Sequence, residues 1–248
     1  MKIQLLSDLH IEFRDYTVDN TANVDVLVLA GDIGVISKPK AYFKFIQHCA
    51  AQFPQIILIT GNHEYYWHSI KSADQAIVDF IARNTLNNVH FLNRDVLLLQ
   101  DVLFYGATLW SDYCNPQAAI NMADFRVISL DGIRQFTYQD AQYLHSQTIV
   151  DIQNLRARYP DNNKIAIITH HAPSYQSVTT QFFDNFMNSA FVSDLEWLIK
   201  DVDPNIWCHG HVHSQHNYKV HNTSVICNAR GYPQEDVGPF KDIAIIEI

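Results

Sequence analysis

Apolar positions along the chain fall in short runs broken by polar or glycine-bearing turns. Lys2–Ser7 and Val24–Ala30 are rich in β-branched residues and leucine and read as buried strands. Between residues 39 and 52 the spacing becomes helical, with Tyr42, Phe45, Ile46 and Cys49 on one face and Pro39 placed for a first turn. Gln55–Thr60 reads as the next strand and Ile70–Asn84 as the next helix. Alternation of this kind predicts an α/β fold.

The pattern changes after residue 88. Val89–Asn93, Val96–Gln100 and Val102–Ala107 follow one another with turn-sized gaps, as in a meander. Residues 112–135 are irregular and mixed, the pattern of a lid or loop segment. Thr137–Tyr159 reads as a helix closed by residues 160–163, then Lys164–Thr169 as a strand and Phe191–Lys200 as a helix. Ile206–Cys208, Thr223–Asn228 and Ile243–Ile248 complete the predicted strands. The aromatic stripes Phe43 to Phe53 and Phe182 to Phe186 are expected to fill the core or the lid. No linker, repeat or low-complexity tract divides the chain, so residues 1–248 are read as one domain with mixed sheets.

Composition narrows the function. With 48% apolar and 17% charged residues in 248, the chain cannot be mainly disordered. Seventeen basic against 26 acidic side chains give a net charge of −9, which leaves no general basic field for a polynucleotide. The apolar runs are too short to span a bilayer. Met1–Leu6 runs straight into Ser7-Asp8 without an apolar leader, and the four cysteines form no C-x-x-C pair. Free thiols without a leader fit a reducing, cytoplasmic setting. The unusual figure is 13 histidines.

Five short polar motifs stand at or just past the ends of predicted strands: Asp8-Leu9-His10, Gly31-Asp32-Ile33-Gly34, Gly61-Asn62-His63-Glu64, Thr169-His170-His171 and Gly210-His211-Val212-His213. Ligands of open α/β sheets collect beyond the carboxyl ends of strands. Each motif alone is explained by a turn or a satisfied histidine. Five in order, all offering hard or borderline donors, point to a metal site. Imidazole and carboxylate suit Zn, Fe, Mn or Ni, and a two-metal site needs a carboxylate between its ions. Asp32, flanked by Gly31 and Gly34, is the natural bridge. Asp8 and His10 lie two apart, so they must leave the strand on a turn to serve one ion.

This ordered set, D-x-H, G-D, G-N-H-[DE], H and G-H-x-H, resembles the calcineurin-like metallophosphoesterase superfamily. The resemblance runs from residue 8 to residue 213. It implies a four-layer α/β/β/α sandwich with two mixed sheets and a binuclear centre holding two divalent ions, Mn, Fe or Zn. Asp8, His10 and His213 would bind the first ion and Asn62, His170 and His211 the second, with Asp32 bridging. His63 would protonate the leaving group or hold the phosphoryl oxygens, with Glu64 orienting it. Of the adjacent histidines, His170 is taken as the ligand and His171 as a substrate-facing neighbour.

The resemblance implies hydrolysis of a small phosphomonoester or phosphodiester, by attack of a metal-bridging hydroxide. A non-catalytic interaction module and a nuclease share the scaffold; the complete ligand set favours an enzyme, and the charge balance disfavours a long nucleic acid. Arginine forks match phosphate oxygens, so Arg126 and Arg230, with Asn62, join His171 as candidate substrate contacts. Substrate, choice of metals and oligomeric state stay open at this point.

Overall fold

The computed structural model describes residues 1–248 except Asn163 and Asp236. The proposed helix closure at 160–163 therefore lies partly outside the described residues. Two mixed sheets face each other. The first has five strands, ordered β11(Ile245–Glu247), β1(Lys2–Leu6), β2(Val26–Ala30), β3(Gln55–Ile59) and β4(Val89–Phe91), parallel except at β11. The second has six, ordered β5(Asp95–Leu99), β6(Val102–Ala107), β7(Lys164–Thr169), β8(Ile206–His209), β10(Thr223–Asn228) and β9(Gln215–Val220), with antiparallel pairs at its two edges.

Period-two alternation produces the layers. In β1 to β3, Ile3, Leu5, Val26, Val28, Ile57 and Ile59 pack between the sheets against Phe104, Ala166, Ile168 and Cys208. The alternate residues Leu27, Leu29, Ile56 and Leu58 face outward. They pack with Tyr42, Ile46 and Ile77 of helices α1(Pro39–Gln52) and α2(Ile70–Arg83). Ile165, Ile167 and Trp207 on the far sheet cover Ile152, Leu155, Leu198 and Ile199. These last come from α5(Tyr138–Gln153), α6(Leu155–Arg158) and α7(Glu196–Val202). The result is the expected four-layer α/β/β/α sandwich.

Five expectations need correction. The proposed meander does not form: β4 pairs with β3, whereas β5 and β6 pair in the other sheet. The chain crosses between sheets at Leu92–Arg94, with Arg94 in the left-handed region (φ 57°). The predicted helix 137–159 breaks at Asn154, and the predicted helix 191–200 begins only at Glu196. Residues 112–135 hold two short helices, α3(Gln117–Asn121) and α4(Asp124–Val127), whose Ala118, Met122 and Ile128 pack into the core of the first sheet. Phe182, Phe183 and Phe186 are exposed, not core.

Helix α5 opens on a capping box. Thr137 Oγ1 accepts from the Asp140 N–H, and Asp140 accepts from the Thr137 N–H, 2.9 Å away. Arg134 adds two bonds of 2.8 Å to the same carboxylate, and these hold Asp140 down at about 2. Thr137→Ala should cost about 1 kcal/mol, read as a lower urea midpoint at constant slope. A carboxyl depressed from 3.8 to about 2 stabilises the fold above its unfolded value. The cost of Asp140→Asn should therefore be full at neutral pH and shrink as pH falls from 4 toward 2; a pH-independent cost would remove the ionic part.

Candidate metal centre

The first donor group leaves β1 on a turn. Asp8 and His10 both take left-handed backbone, with φ 51° and 46°. Asp32 after β2 does the same (φ 52°), as do His211 and His213 after β8 (69° and 45°). Non-glycine residues in this region each carry strain of roughly 1–3 kcal/mol, and such strain collects at functional sites. The bends aim donors inward that straight strands would have pointed to opposite faces. Gly210 makes the closure possible: a Cβ there would stand 2.5 Å from Asp8 Oδ2.

Three donor groups result among the described residues; one, His10 with Glu12 and His63, shares His10 with the first of the two that follow. Asp8, His10 and His213 bring ligand atoms within 4.8 Å of one another, and so do Asp32, His170 and His211. His10 Nε2 and His213 Nε2 are 3.1 Å apart, and His213 Nε2 lies 3.3 Å from Asp8 Oδ1. In the second group His170 Nε2 is 3.2 Å from Asn62 Oδ1 and 3.3 Å from Asp32 Oδ2. Asp32 Oδ2 is also 3.9 Å from His10 Nε2, so one carboxylate oxygen faces both groups.

The histidine tautomers are set from behind. His10 Nδ1 meets Glu12 Oε1 at 3.1 Å, His170 Nδ1 donates to Ala30 O at 2.9 Å, and His213 Nδ1 meets Glu235 Oε2 at 2.5 Å. Each ring thereby turns Nε2 toward the centre, the arrangement that outer carboxylates and carbonyls impose on metal-binding imidazoles. Asp124 does the same for Asn62, accepting from its Nδ2 at 2.9 Å and leaving Oδ1 for the centre. His211 Nε2 is buried without a hydrogen-bond partner.

Asp8 and Asp32 are fully buried carboxylates held below their usual range, against burial, by the histidines around them. Burial opposes charge on His170 and His213. Asp32 beside the first, and Asp8 and Glu235 beside the second, nevertheless pull them up to about 9 and about 10. The clustered imidazoles and carboxylates fit divalent metal ions.

A family model of calcineurin-like phosphoesterases matches residues 1–215, a stretch that contains every donor from Asp8 to His213. The chain belongs to the calcineurin-like phosphoesterase family. It is 25% identical over 279 aligned positions to an uncharacterized protein of Acanthamoeba polyphaga mimivirus, covering 99% of this chain and 96% of that one. Among solved structures, phosphopantetheinyl hydrolase from Mycobacterium tuberculosis has the same fold (TM-score 0.67, 16% identity, 94% of this chain and 90% of that one). A putative 5′-nucleotidase from Staphylococcus aureus, in complex with alpha-ketoglutarate, shares it less closely (TM-score 0.53, 13% identity, 93% and 49%).

In this calcineurin-like phosphoesterase His63 stands beside both donor groups. Its Nδ1 lies 3.1 Å from Glu12 Oε1, its Nε2 lies 2.8 Å from the Tyr232 hydroxyl, and its ring stacks on Tyr66. Burial pulls its pKa down, but the charges of Asp32 and Glu12 outweigh it and hold it above the ordinary histidine value. Glu64 does not orient His63. Its carboxylate turns inward and accepts the N–H groups of Asp32, Ile33 and Gly61 at 2.8–2.9 Å, pinning the two loops together. Burial and the Asp32 charge push Glu64 up. The role expected of Glu64 falls geometrically to Glu12.

The other substrate candidates are also relocated. His171 is buried, with Nδ1 on Thr108 O, and burial with the neighbouring His170 pushes it down to about 3; it lies off the cavity wall. Arg126 donates to Ile120 O at the surface. Arg230 donates to the carbonyls of Leu9, Arg14 and Asp15, and its guanidinium lies 4.7 Å over the Tyr16 ring. That guanidinium braces the turn carrying Asp8 and His10 and is committed to backbone carbonyls. Asn62 does line the cavity, with Asp32, His63, His211 and His213. Sequence reasoning missed Glu12, Asp124, Tyr232 and Glu235. Only Glu12 carried a local signal, a carboxylate two residues past His10.

Proposed function

We propose that this calcineurin-like phosphoesterase is a metal-dependent hydrolase of a small phosphomonoester or phosphodiester. Two divalent ions, Mn, Fe or Zn, would be held by Asp8, His10 and His213 on one side and Asn62, His170 and His211 on the other, with Asp32 between. The observation that carries the reading is the approach of Asp32 Oδ2 to imidazoles of both groups, 3.9 Å from His10 and 3.3 Å from His170. When bound, such a pair of ions supplies a nucleophile from water at neutral pH and neutralises charge on the phosphoryl group.

The chain's own residues do the rest. The part of the cavity lined by Asp32, Asn62 and His63 would position the phosphoryl group against His63, whose Nε2, beside the Tyr232 hydroxyl, can give a proton to the departing oxygen. Glu12 holds Nδ1 of His63 and of His10 on one carboxylate oxygen, fixing the proton donor relative to the first donor group. Tyr66 stacks on the His63 ring and fixes its plane. The named activity of the mycobacterial neighbour, a hydrolase, is consistent with this chemistry.

The test is a panel of phosphomonoesters and phosphodiesters after reconstitution with Mn, Fe or Zn. A nuclease reading makes a different prediction. A protein that neutralises 6–10 phosphates loses about 10³–10⁵-fold in affinity between 50 and 200 mM salt, whereas turnover of a small ester here should change by less than about threefold. Strongly salt-sensitive cleavage of nucleic acid with no turnover of small esters would overturn the proposal. No helix among the described residues is long and apolar enough to cross a membrane.

A further inference from the structure

A cavity of about 690 Å³ opens in front of the donor groups, a volume in the range that encloses a drug-sized ligand. Its inner end is the metal centre. Its opposite wall is formed by residues 177–191, of which the sequence pattern assigned only Phe191 to an element. They fold as tight turns at Thr180–Phe182 and Phe186–Ala190. The wall is fastened at one end to the last residue of β8 and at the other to the loop after it that carries His211. Ser177 Oγ lies 2.9 Å from His209 Nε2, and Phe191 stacks on His211 with ring centres 4.8 Å apart. Between these points the backbone closes on itself: Phe182 O accepts the Asn185 N–H at 3.2 Å and Asn188 Nδ2 at 2.8 Å. The wall is therefore shaped before any ligand arrives.

Its chemistry is specific. Val178, Phe182, Met187 and Phe191 give it an apolar surface, and Gln181 and Asn185 add amides. Phe182 is 50% exposed and stacks on no ring among the described residues. Gln181 has no hydrogen-bond partner among them. None of the described residues lining the cavity is Lys or Arg, and its carboxylates and imidazoles, Asp32, His63, His211, His213 and Glu235, belong to the metal end. Positive charge is thus confined to the metal end.

We propose that the 177–191 wall binds the organic part of the substrate and selects an uncharged group of about nucleoside size. That group would have an apolar face for Phe182 and hydroxyl or amide groups for Gln181. This rests on the hydrolase reading. A second phosphate on that group would lie against neutral amides, with no Lys or Arg among the described lining residues to meet it, and leaving a charge unpaired is how sites reject wrong partners.

The experiment uses the intact chain with Mn, Fe or Zn and two matched series, 5′-phosphomonoesters and methyl 5′-phosphodiesters. Each series contains adenosine, adenosine bearing a 3′-phosphate, and glycerol. In whichever series turns over, the adenosine ester should exceed both others in kcat/KM by about tenfold or more. Phe182→Ala should raise KM for the adenosine ester about tenfold and leave the glycerol ester within about twofold. Gln181→Lys should narrow the gap between adenosine and its 3′-phosphate. Equal turnover of the 3′-phosphorylated ester, or equal losses on both esters in Phe182→Ala, overturns the proposal. Saturation-transfer NMR of adenosine alone reads the wall without catalysis. Contact in the wild type that Phe182→Ala abolishes supports the wall even if no ester is cleaved, an outcome that would sink the hydrolase reading alone; absence of contact in the wild type overturns the wall.

Discussion

Metal analysis of Asp32→Asn should return fewer than two tightly held ions per chain. Asp32 Oδ2 is the atom that approaches both donor groups, while Oδ1 accepts the His63 N–H at 2.8 Å. An amide keeps one oxygen for that N–H and turns an NH₂ toward His10 and His170, where a negative charge is needed. The two proposed ions repel each other, and the only carboxylate between them offsets that repulsion. Loss of residues that merely orient ligands typically costs about 10–100-fold in metal affinity, so loss of the bridge should exceed that at both sites. Titration with Mn or Zn followed by gel filtration and elemental analysis reads the result. Two ions retained with wild-type affinity would show that Asp32 does not bridge.

The sequence was most informative where chemistry and strand ends coincide. Asp8, His10, Asp32, Asn62, His170, His211 and His213 converge because each follows a buried strand whose apolar run is readable in sequence. Those strands were legible as buried, and they are buried on both faces: one packs between the sheets and the other under α1 and α2. What escaped depends on distance along the chain. Asp124 meets Asn62 from 62 residues away, and Tyr232 meets His63 from 169. No periodicity encodes either encounter. β4 and β5 read as neighbours in one meander because strands of three and five residues with a turn between them look alike whether they pair or part. Glu64 and Arg230 were misplaced for one shared reason. Tightly bent loops around a buried centre leave N–H and C=O groups without ladder partners, and buried backbone groups must be satisfied. The Glu64 carboxylate takes three such N–H groups, and Arg230 covers three such carbonyls. Side chains that look reactive in sequence are consumed by the loops that build the site.

His63→Ala should keep its metals and lose most of its turnover of esters with poor leaving groups. His63 contributes to neither donor group in the proposed centre, because its Nδ1 is taken by Glu12 and its Nε2 faces the cavity and Tyr232. Removing a group that protonates the departing oxygen typically costs about 10²–10⁴-fold. An alkyl phosphate, whose alkoxide is a poor leaving group, should show the whole loss. A nitrophenyl ester, whose phenolate needs little protonation, should show much less. Near-normal turnover of the alkyl ester would remove His63 from the reaction, and loss of metal from the variant would place it in the centre instead. Glu12→Gln cannot replace this experiment: Glu12 Oε1 lies 3.1 Å from both His10 Nδ1 and His63 Nδ1, so its removal disturbs a proposed ligand and the proton donor together. The contrast between two leaving groups in His63→Ala separates proton delivery from metal binding, because only proton delivery depends on the oxygen that departs.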